Sequence, residues 1–221
     1  TGTPLCAIIR NSDPHSRDYD QLRHLMRPGH ADYSGKIRYG GFNDYRGGGH
    51  FSGRLTAPLV FAGAVASQIL ARHGITVGSH ILRLAGIADK PFDAAGETAE
   101  TLQALKKETL PVLDKAQAGP MEEKILEAKN DLDSVGGVIE CMVTGLPAGI
   151  GDPFFDSVES QLSHMMFSVP AVKGIEFGDG FALADLRGSQ ANDAFYYDGD
   201  TVKTRTNHNG GINGGITNGM P

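Results

Sequence analysis

The chain has 221 residues, 40% of them hydrophobic, which is enough to bury one sizeable core, so we expect a single domain over residues 1–221. A net charge of −6 argues against a nucleic-acid partner. We find no apolar run long enough to cross a membrane and expect no membrane partner. The two cysteines, Cys6 and Cys141, form no metal-ligand pattern and indicate free thiols in a reducing cytoplasm rather than a disulfide.

The charge is unevenly distributed along the chain. Residues 1–54 carry eight Lys and Arg against five Asp, a net charge of +3 in a chain whose total is −6. This segment either focuses a small anion or is a solvated charged face, and composition alone leaves both interpretations open.

The N-terminal half contains three predicted elements and one long irregular stretch. An apolar run over residues 5–10 predicts a strand. Residues 11–54 are rich in Gly, Asp, Arg and Tyr without clear periodicity, which is typical of a functional or mobile segment. The alanine-rich stretch 59–73 predicts a buried helix that ends at Gly74. Residues 77–87 then predict a strand.

The C-terminal half mixes helix and strand signals. The spacing of apolar residues predicts helices over 94–105, 121–135 and 154–167 and a strand over 138–143. A strand pair is predicted over 175–186, around Gly178-Asp179-Gly180. Residues 207–219 are too rich in Gly and Asn for regular structure and form either a flexible tail or a ligand loop lined by backbone. Because strands and helices alternate irregularly, the sequence favours an α+β fold.

A glycine-rich segment, Gly49-His50-Phe51-Ser52-Gly53-Arg54-Leu55-Thr56, precedes the first long helix. Glycines let the backbone approach a ligand closely, and peptide N–H groups before a helix favour an anion. Arg54 can donate two hydrogen bonds to a phosphate or carboxylate. The segment therefore indicates a phosphorylated or polyanionic small molecule, with a tight loop carrying a surface arginine as the alternative.

A second motif, Arg27-Pro28-Gly29-His30-Ala31-Asp32, lies upstream and contains a histidine that can titrate near neutral pH. Further motifs follow in residues 145–151 (Gly-Leu-Pro-Ala-Gly-Ile-Gly), 170–176 (Pro-Ala-Val-Lys-Gly-Ile-Glu) and 209–221, which is rich in Gly and Asn. In this order, and over nearly the whole chain, these motifs closely resemble chorismate synthase.

The resemblance implies a fold, a reaction and partners. The expected fold is a β-α-β sandwich with central helices between two antiparallel sheets, usually in a homotetramer. The expected reaction is the 1,4-elimination of phosphate from 5-enolpyruvylshikimate 3-phosphate to give chorismate, the last step of the shikimate pathway to aromatic amino acids. It needs reduced FMN without net redox change. The sequence leaves open whether an NADPH-dependent activity of the protein itself or an outside supply reduces the FMN.

The resemblance also assigns roles to residues. His30 is the expected catalytic group and manages a proton beside the flavin, and Arg27 and Arg54 are expected to bind the anions of the substrate. The residues expected to contact FMN are His50, Phe51, Ser52, Pro170, Ala171 and Gly214. No metal site is expected, because the other histidines show no paired ligand spacing on a helix face. Residues 34–50 and 205–219 are expected to be flexible loops that order around ligand.

The sequence also departs from the family pattern. His50 stands where many relatives carry arginine, so this position is positively charged only when His50 is protonated. We do not find the family's opening Gly-Glu-Ser-His-Gly motif or its later Lys-Pro-Thr and Arg-x-Asp motifs. The chain therefore resembles the middle of the enzyme, and we expect little or no turnover from it alone. The alternatives are a non-catalytic core fragment or pseudoenzyme that folds and self-associates, and an unrelated flavin- or phosphate-binding module.

Overall fold

A computed structural model describes residues 2–12 and 15–221. The chain forms two compact units. The first consists of Thr1–Ala66 and Met165–Lys173, and the second of Ser67–His164 and Gly174–Pro221.

Helices and antiparallel strands are mixed along the described residues. The α-helices there are α1 (Asp32–Arg38), α2 (Thr56–Arg72), α3 (Ala99–Leu105), α4 (Ala118–Asn130), α5 (Val158–Met166) and α6 (Gly188–Ala191). The strands there are β1 (Thr76–Leu84), β2 (Ile87–Ala88), β3 (Gly137–Thr144), β4 (Phe195–Asp198), β5 (Thr201–Thr204), β6 (Ile212–Asn213) and β7 (Ile216–Thr217). This mixture confirms the α+β class.

The second unit is built on a three-stranded antiparallel sheet in the order β2-β1-β3. Strands β1 and β2 are joined by a two-residue turn in which Ala85 and Gly86 both have positive φ, at 49° and 86°. Turns of this kind match the right-handed twist of the strands that they connect. β1 and β3 pair from Thr76↔Thr144 to Leu84↔Gly137, and the register shifts once along the way.

Two small clusters of buried side chains form the core of the second unit. One contains Ile81, Val112 and Met121, and the other contains Phe92, Leu102 and Leu105. Helix α3 supplies Leu102 and Leu105 to the second cluster. This helix begins at Ala99 rather than at residue 94, because the Thr98 side chain accepts a hydrogen bond from the Thr101 N–H at 3.1 Å and so caps it.

Helix α2 is apolar and has no buried residue, so the expectation that this helix is buried is wrong. Val60 and Ile69 are 70% and 54% exposed. Within the described residues, the 20-residue segment Gly53–Arg72 is the one helix long and apolar enough to cross a membrane, judged by length and composition only, and none of it is buried. The expectation that no apolar run reaches this length is therefore wrong. A core helix of a soluble protein passes the same test, so the finding is weak evidence for a membrane span.

Two predicted strand regions are wrong. Residues 5–10 form no strand. Leu5 and Ile8 are 69% and 77% exposed, so this apolar run does not pair with a neighbouring strand. Residues 175–186 contain the 3-10 helix Gly180–Asp185 instead of a strand pair. The hairpin lies further along, between β4 and β5.

The glycine-rich segment 205–219 contains a second small hairpin, formed by β6 and β7. Long-range hydrogen bonds hold its start. The Asn207 side-chain amide donates to the carbonyl oxygens of Ala94 at 3.1 Å and of Pro221 at 2.9 Å. This segment therefore makes defined contacts inside the second unit.

Candidate functional site

The glycine-rich loop of the first unit adopts a backbone that other residues rarely take. Gly47, Gly48 and Gly49 have φ values of 62°, 83° and 52°, in the left-handed region that glycine enters without steric cost. A Cβ on Gly49 would collide with the carbonyl oxygen of Asp44. The loop therefore packs closely on the preceding segment, and its glycines are required for that packing.

Arg54 is held by neutral groups. Ser52 has an extended backbone and caps the following 3-10 helix, and its Oγ accepts hydrogen bonds from the Arg54 N–H at 3.2 Å and from Arg54 Nε at 3.1 Å. Arg54 Nη2 donates to the carbonyl oxygen of Gly47 at 2.5 Å. No carboxylate among the described residues forms an ion pair with this guanidinium. Within that part of the chain, its positive charge is thus uncompensated.

Arg46, in the same loop, has the opposite arrangement. Its Nε and Nη2 each donate to a different carboxylate oxygen of Asp44 at 2.9 Å. These hydrogen bonds lower the pKa of Asp44 to about 2. The charge of Arg46 is therefore balanced locally, and Arg54 is the better candidate for an anionic ligand.

Arg27, His30 and Asp32 form a closed cluster at the start of α1. Arg27 Nε donates to Oδ2 of Asp32 at 2.8 Å, and Arg27 Nη2 donates to Oδ1 at 2.9 Å. His30 Nδ1 lies 2.7 Å from the same Oδ1. The Arg27 hydrogen bond holds the pKa of Asp32 well below its usual range and raises the pKa of Arg27. Asp32 is accordingly an ionised carboxylate that holds both neighbours.

The glycine-rich loop lies directly against His30. A Cβ built on Gly48 would lie 3.7 Å from His30 Nε2 and 3.7 Å from the Cβ of Ser52. Gly48 itself is buried. The structure thus brings His30 together with Ser52 and Arg54 around Gly47 and Gly48, although His30 lies more than twenty positions before them in the sequence.

Phe51 and His50 have different surroundings within the same loop. The Phe51 ring packs on Gly35 of α1 so closely that a Cβ on Gly35 would lie 2.5 Å from Phe51 Cε2. Tyr39 lies on another side, with its ring centroid 6.5 Å from that of Phe51. His50 is exposed. Phe51 therefore packs the loop against α1, while His50 is exposed to solvent.

The remaining predicted contacts to FMN lie in other segments. Pro170 and Ala171 belong to the first unit, and both are exposed. Ala171 has a φ of 68°, which is unusual for a residue with a Cβ. Gly214 belongs to the second unit, in the turn between β6 and β7, where a Cβ would meet no heavy atom within 4 Å.

The motif Arg27-Pro28-Gly29-His30-Ala31-Asp32 contained one charged residue to which no role was assigned, Asp32. The sequence did indicate a role for Asp32, because an arginine, a histidine and an aspartate at this spacing around a Pro-Gly turn can contact one another. Within residues 2–12 and 15–221, no group of three or more His, Cys, Asp or Glu could hold a metal ion.

The chain is similar over its whole length to proteins of one family. The family model of chorismate synthase matches residues 1–221. Curated chorismate synthases from Dehalococcoides mccartyi and Thermococcus kodakarensis are each 44% identical over 221 residues, all of this chain and 60% of the relative. The Chitinophaga pinensis protein of the same name is 47% identical, and the chain covers 56% of it.

A solved structure agrees with these sequence matches. A crystal structure of chorismate synthase superposes with a TM-score of 0.76 at 29% identity, covering 85% of this chain and 59% of that one. The chain thus spans about 60% of the length of the curated relatives it matches. With the whole chain matched by one family model and the fold shared with a solved member, this chain belongs to the chorismate synthase family.

Proposed function

We propose that this chain carries part of the active site of a chorismate synthase, which removes phosphate from 5-enolpyruvylshikimate 3-phosphate by 1,4-elimination to give chorismate, with reduced FMN. One observation carries the proposal most directly. The uncompensated guanidinium of Arg54 and the imidazole of His30 both lie against the same glycine-rich loop. A cation for phosphate and a group that exchanges protons are two of the components that this elimination needs, besides reduced FMN.

Arg54 is the proposed ligand of the substrate phosphate. Hydrogen bonds from Arg54 to Ser52 and Gly47 fix the guanidinium without neutralising it. A fixed, preorganised cation stabilises charge that develops on a departing group. Arg27 contributes less directly, because its Nε and Nη2 already donate to Asp32 and only Nη1 is left for a substrate anion.

His30 is the proposed catalytic residue, with a proton held or moved at Nε2. Its Nδ1 is 2.7 Å from Asp32, whereas Nε2 lies on the side of Gly48. A histidine with one nitrogen held by a carboxylate and the other directed at a ligand loop is arranged for general acid–base work. His30 is also partly exposed, so a substrate can reach it.

The residues proposed to contact FMN are His50, Phe51, Ser52, Pro170, Ala171 and Gly214. Several of their properties fit a flavin phosphate and ring. The backbones of Ala171 and Gly214 are exposed, and nothing lies within 4 Å of the position where Gly214 would carry a Cβ. When bound, reduced FMN supplies an electron-rich ring beside the substrate. His50 adds a positive charge there only when it is protonated.

The proposed setting is the cytoplasm, with the enzyme as a homotetramer and a small molecule as substrate. Cys6 and Cys141 are both free thiols, as suits a reducing compartment. The exposed apolar side chains of α2 support contact with further polypeptide, since monomeric soluble proteins seldom expose such surface.

The test is an anaerobic titration of the 221-residue chain with reduced FMN, with and without 5-enolpyruvylshikimate 3-phosphate. We expect the substrate to tighten flavin binding. Arg54→Ala is expected to abolish this coupling, because it removes the uncompensated cation. Arg46→Ala is the matched control. It deletes a guanidinium from the same loop whose charge Asp44 already balances, so the coupling is expected to persist.

Two results would contradict the proposal. Flavin binding that is absent under every condition would make this chain a structural core without a site of its own. Equal losses of coupling in Arg54→Ala and Arg46→Ala would mean that the general positive charge of the loop, and not the placement of Arg54, attracts the ligand.

A further inference from the structure

Asp32 is the centre of the cluster at the start of α1. Its two carboxylate oxygens accept hydrogen bonds from Arg27 at three donors: the backbone N–H at 3.0 Å, Nε at 2.8 Å and Nη2 at 2.9 Å. The fourth neighbour is His30 Nδ1, at 2.7 Å. The Asp32 side chain is only 13% exposed. A largely buried carboxylate with this many donors is fixed in position and orientation.

The protonation of Asp32 determines that of His30. Hydrogen bonds from Arg27 keep the carboxyl ionised, because they hold its pKa well below the usual range. An ionised carboxylate can only accept hydrogen bonds, so His30 Nδ1 must be the donor. In the neutral imidazole, Nε2 is then the acceptor.

Arg27 leaves the choice of tautomer to Asp32. Its Nη2 lies 3.2 Å from both Nδ1 and Nε2 of His30 and 2.9 Å from Oδ1 of Asp32. Because Nη2 is equidistant from the two ring nitrogens, it does not select between them, and the 2.7 Å contact of Nδ1 with the ionised Asp32 favours the Nδ1–H tautomer.

We propose that Asp32 is a positioning residue that fixes His30 as the Nδ1–H tautomer and so leaves Nε2, the ring nitrogen on the side of Gly48, unprotonated in the neutral ring. Arg27 acts through Asp32 by holding the carboxylate in place. This inference rests on the proposed function for its role in catalysis, since a proton can be taken up at Nε2 only if that nitrogen is unprotonated. The orientation itself depends only on the contacts within the cluster.

The test measures the tautomer directly. In the 221-residue chain, ¹⁵N NMR of the histidine rings above the titration range distinguishes a protonated Nδ1 from a protonated Nε2. We expect the Nδ1–H form for His30. Asp32→Asn is expected to shift His30 toward the Nε2–H form, because the amide can donate to Nδ1 as well as accept from it. Arg27→Lys keeps the carboxylate and is expected to preserve Nδ1–H.

Asp44→Asn provides the matched control. It makes the same change in a carboxylate that is also held by an arginine, but one without contact to His30, so His30 is expected to be unchanged. The ring signals of His80, buried in the second unit, report whether that unit has kept its fold in each variant. Asp32→Glu, which keeps the negative charge, is expected to restore part of the Nδ1–H population.

The same samples separate this inference from the proposed function. If Asp32→Asn leaves His30 in the Nδ1–H form, the positioning role of Asp32 is overturned, whatever the effect of Arg27→Lys. If Asp32→Asn shifts the tautomer as expected while no variant or wild-type chain binds reduced FMN, the orientation is supported and the proposed function fails. A tautomer shift together with weaker coupling between substrate and flavin supports both.

Discussion

Nδ1 of His80 lies 3.0 Å from Oδ2 of Asp89, and both side chains are fully buried. Nε2 of the same ring lies 2.8 Å from Glu140 on β3. Asp89 also accepts hydrogen bonds from the backbone N–H groups of Leu113 at 2.5 Å and Asp114 at 2.9 Å. This polar network joins β1, β3 and the segment before α4 inside the second unit. All of its members have partners, as a buried charged group requires.

We expect His80→Leu to lower the free energy of unfolding by about 3–5 kcal/mol, because it removes the group that compensates the Asp89 and Glu140 carboxylates. Urea unfolding followed by circular dichroism measures the change. His164→Leu makes the same substitution at an exposed position of α5 and is expected to stay within about 0.5 kcal/mol of wild type. Similar losses in the two variants would show that the carboxylates do not depend on His80.

The same network makes stability depend on pH. Burial opposes protonation of His80, but its hydrogen bonds to Glu140 and Asp89 outweigh this and raise its pKa above 6.5. Burial also raises the pKa of Asp89, but the hydrogen bonds it accepts from backbone N–H groups and His80 outweigh this and lower its pKa below 3.8.

The directions of these two shifts fix the expected profile. The contribution of His80 is complete below about pH 6.5 and is lost as the pH rises through its folded-state pKa. The contribution of Asp89 is complete above about pH 4 and is lost as the pH falls through its folded-state pKa. The difference in unfolding free energy between wild type and His80→Leu is therefore expected to be largest between about pH 4 and 6.5. A difference that grows above pH 7 would contradict this.

The sequence predicted several of the regular elements where apolar spacing was continuous, although the strand expected over 5–10 does not occur. The helix expected over 59–73 occurs as Thr56–Arg72, and the strand expected over 138–143 occurs as Gly137–Thr144. Boundaries were displaced where a cap or turn determines them, as at Thr98. The strand pair expected over 175–186 failed for a different reason. The turn at Gly178 packs on the carbonyl of His208, a contact that local sequence does not reveal.

The site shows the same division between local and long-range information. The motif placed Arg27 and His30 close together, and the structure describes them in contact. That Arg27 is occupied by Asp32, whereas Arg54 has no carboxylate partner among the described residues, depends on side-chain geometry that residue types alone do not determine. The packing of Phe51 on Gly35 was likewise not predictable, because it depends on how the loop folds back on α1.

Gly78 provides a direct test of packing between β1 and α3. A Cβ at this position would lie 2.7 Å from Cβ and 3.1 Å from Cα of Leu102, so the helix backbone would have to shift. We expect Gly78→Ala to lower the free energy of unfolding by about 1–3 kcal/mol, the usual cost of overpacking. Thermal unfolding of the wild type and of Gly78→Ala measures this difference in the free energy of unfolding.

Gly119 in α4 is the matched control for Gly78. A Cβ there would meet nothing within 4 Å. Alanine also favours the helical conformation, so Gly119→Ala is expected to be neutral or to stabilise by up to about 1 kcal/mol. Destabilisation of both variants to the same degree would mean that α3 does not pack on β1 as closely as described.

Gly48 links the backbone of the ligand loop to the proposed chemistry. Its φ of 83° costs a residue with a Cβ about 1–2 kcal/mol, and an added Cβ would stand between His30 Nε2 and Ser52. We therefore expect Gly48→Ala to lower stability by about this amount and to weaken the coupling between substrate and reduced FMN. Gly53→Ala, in the same loop with nothing within 4 Å of its Cβ, is expected to change neither quantity. If Gly48→Ala loses stability but keeps full coupling, the space between His30 and Ser52 is not where the ligand binds.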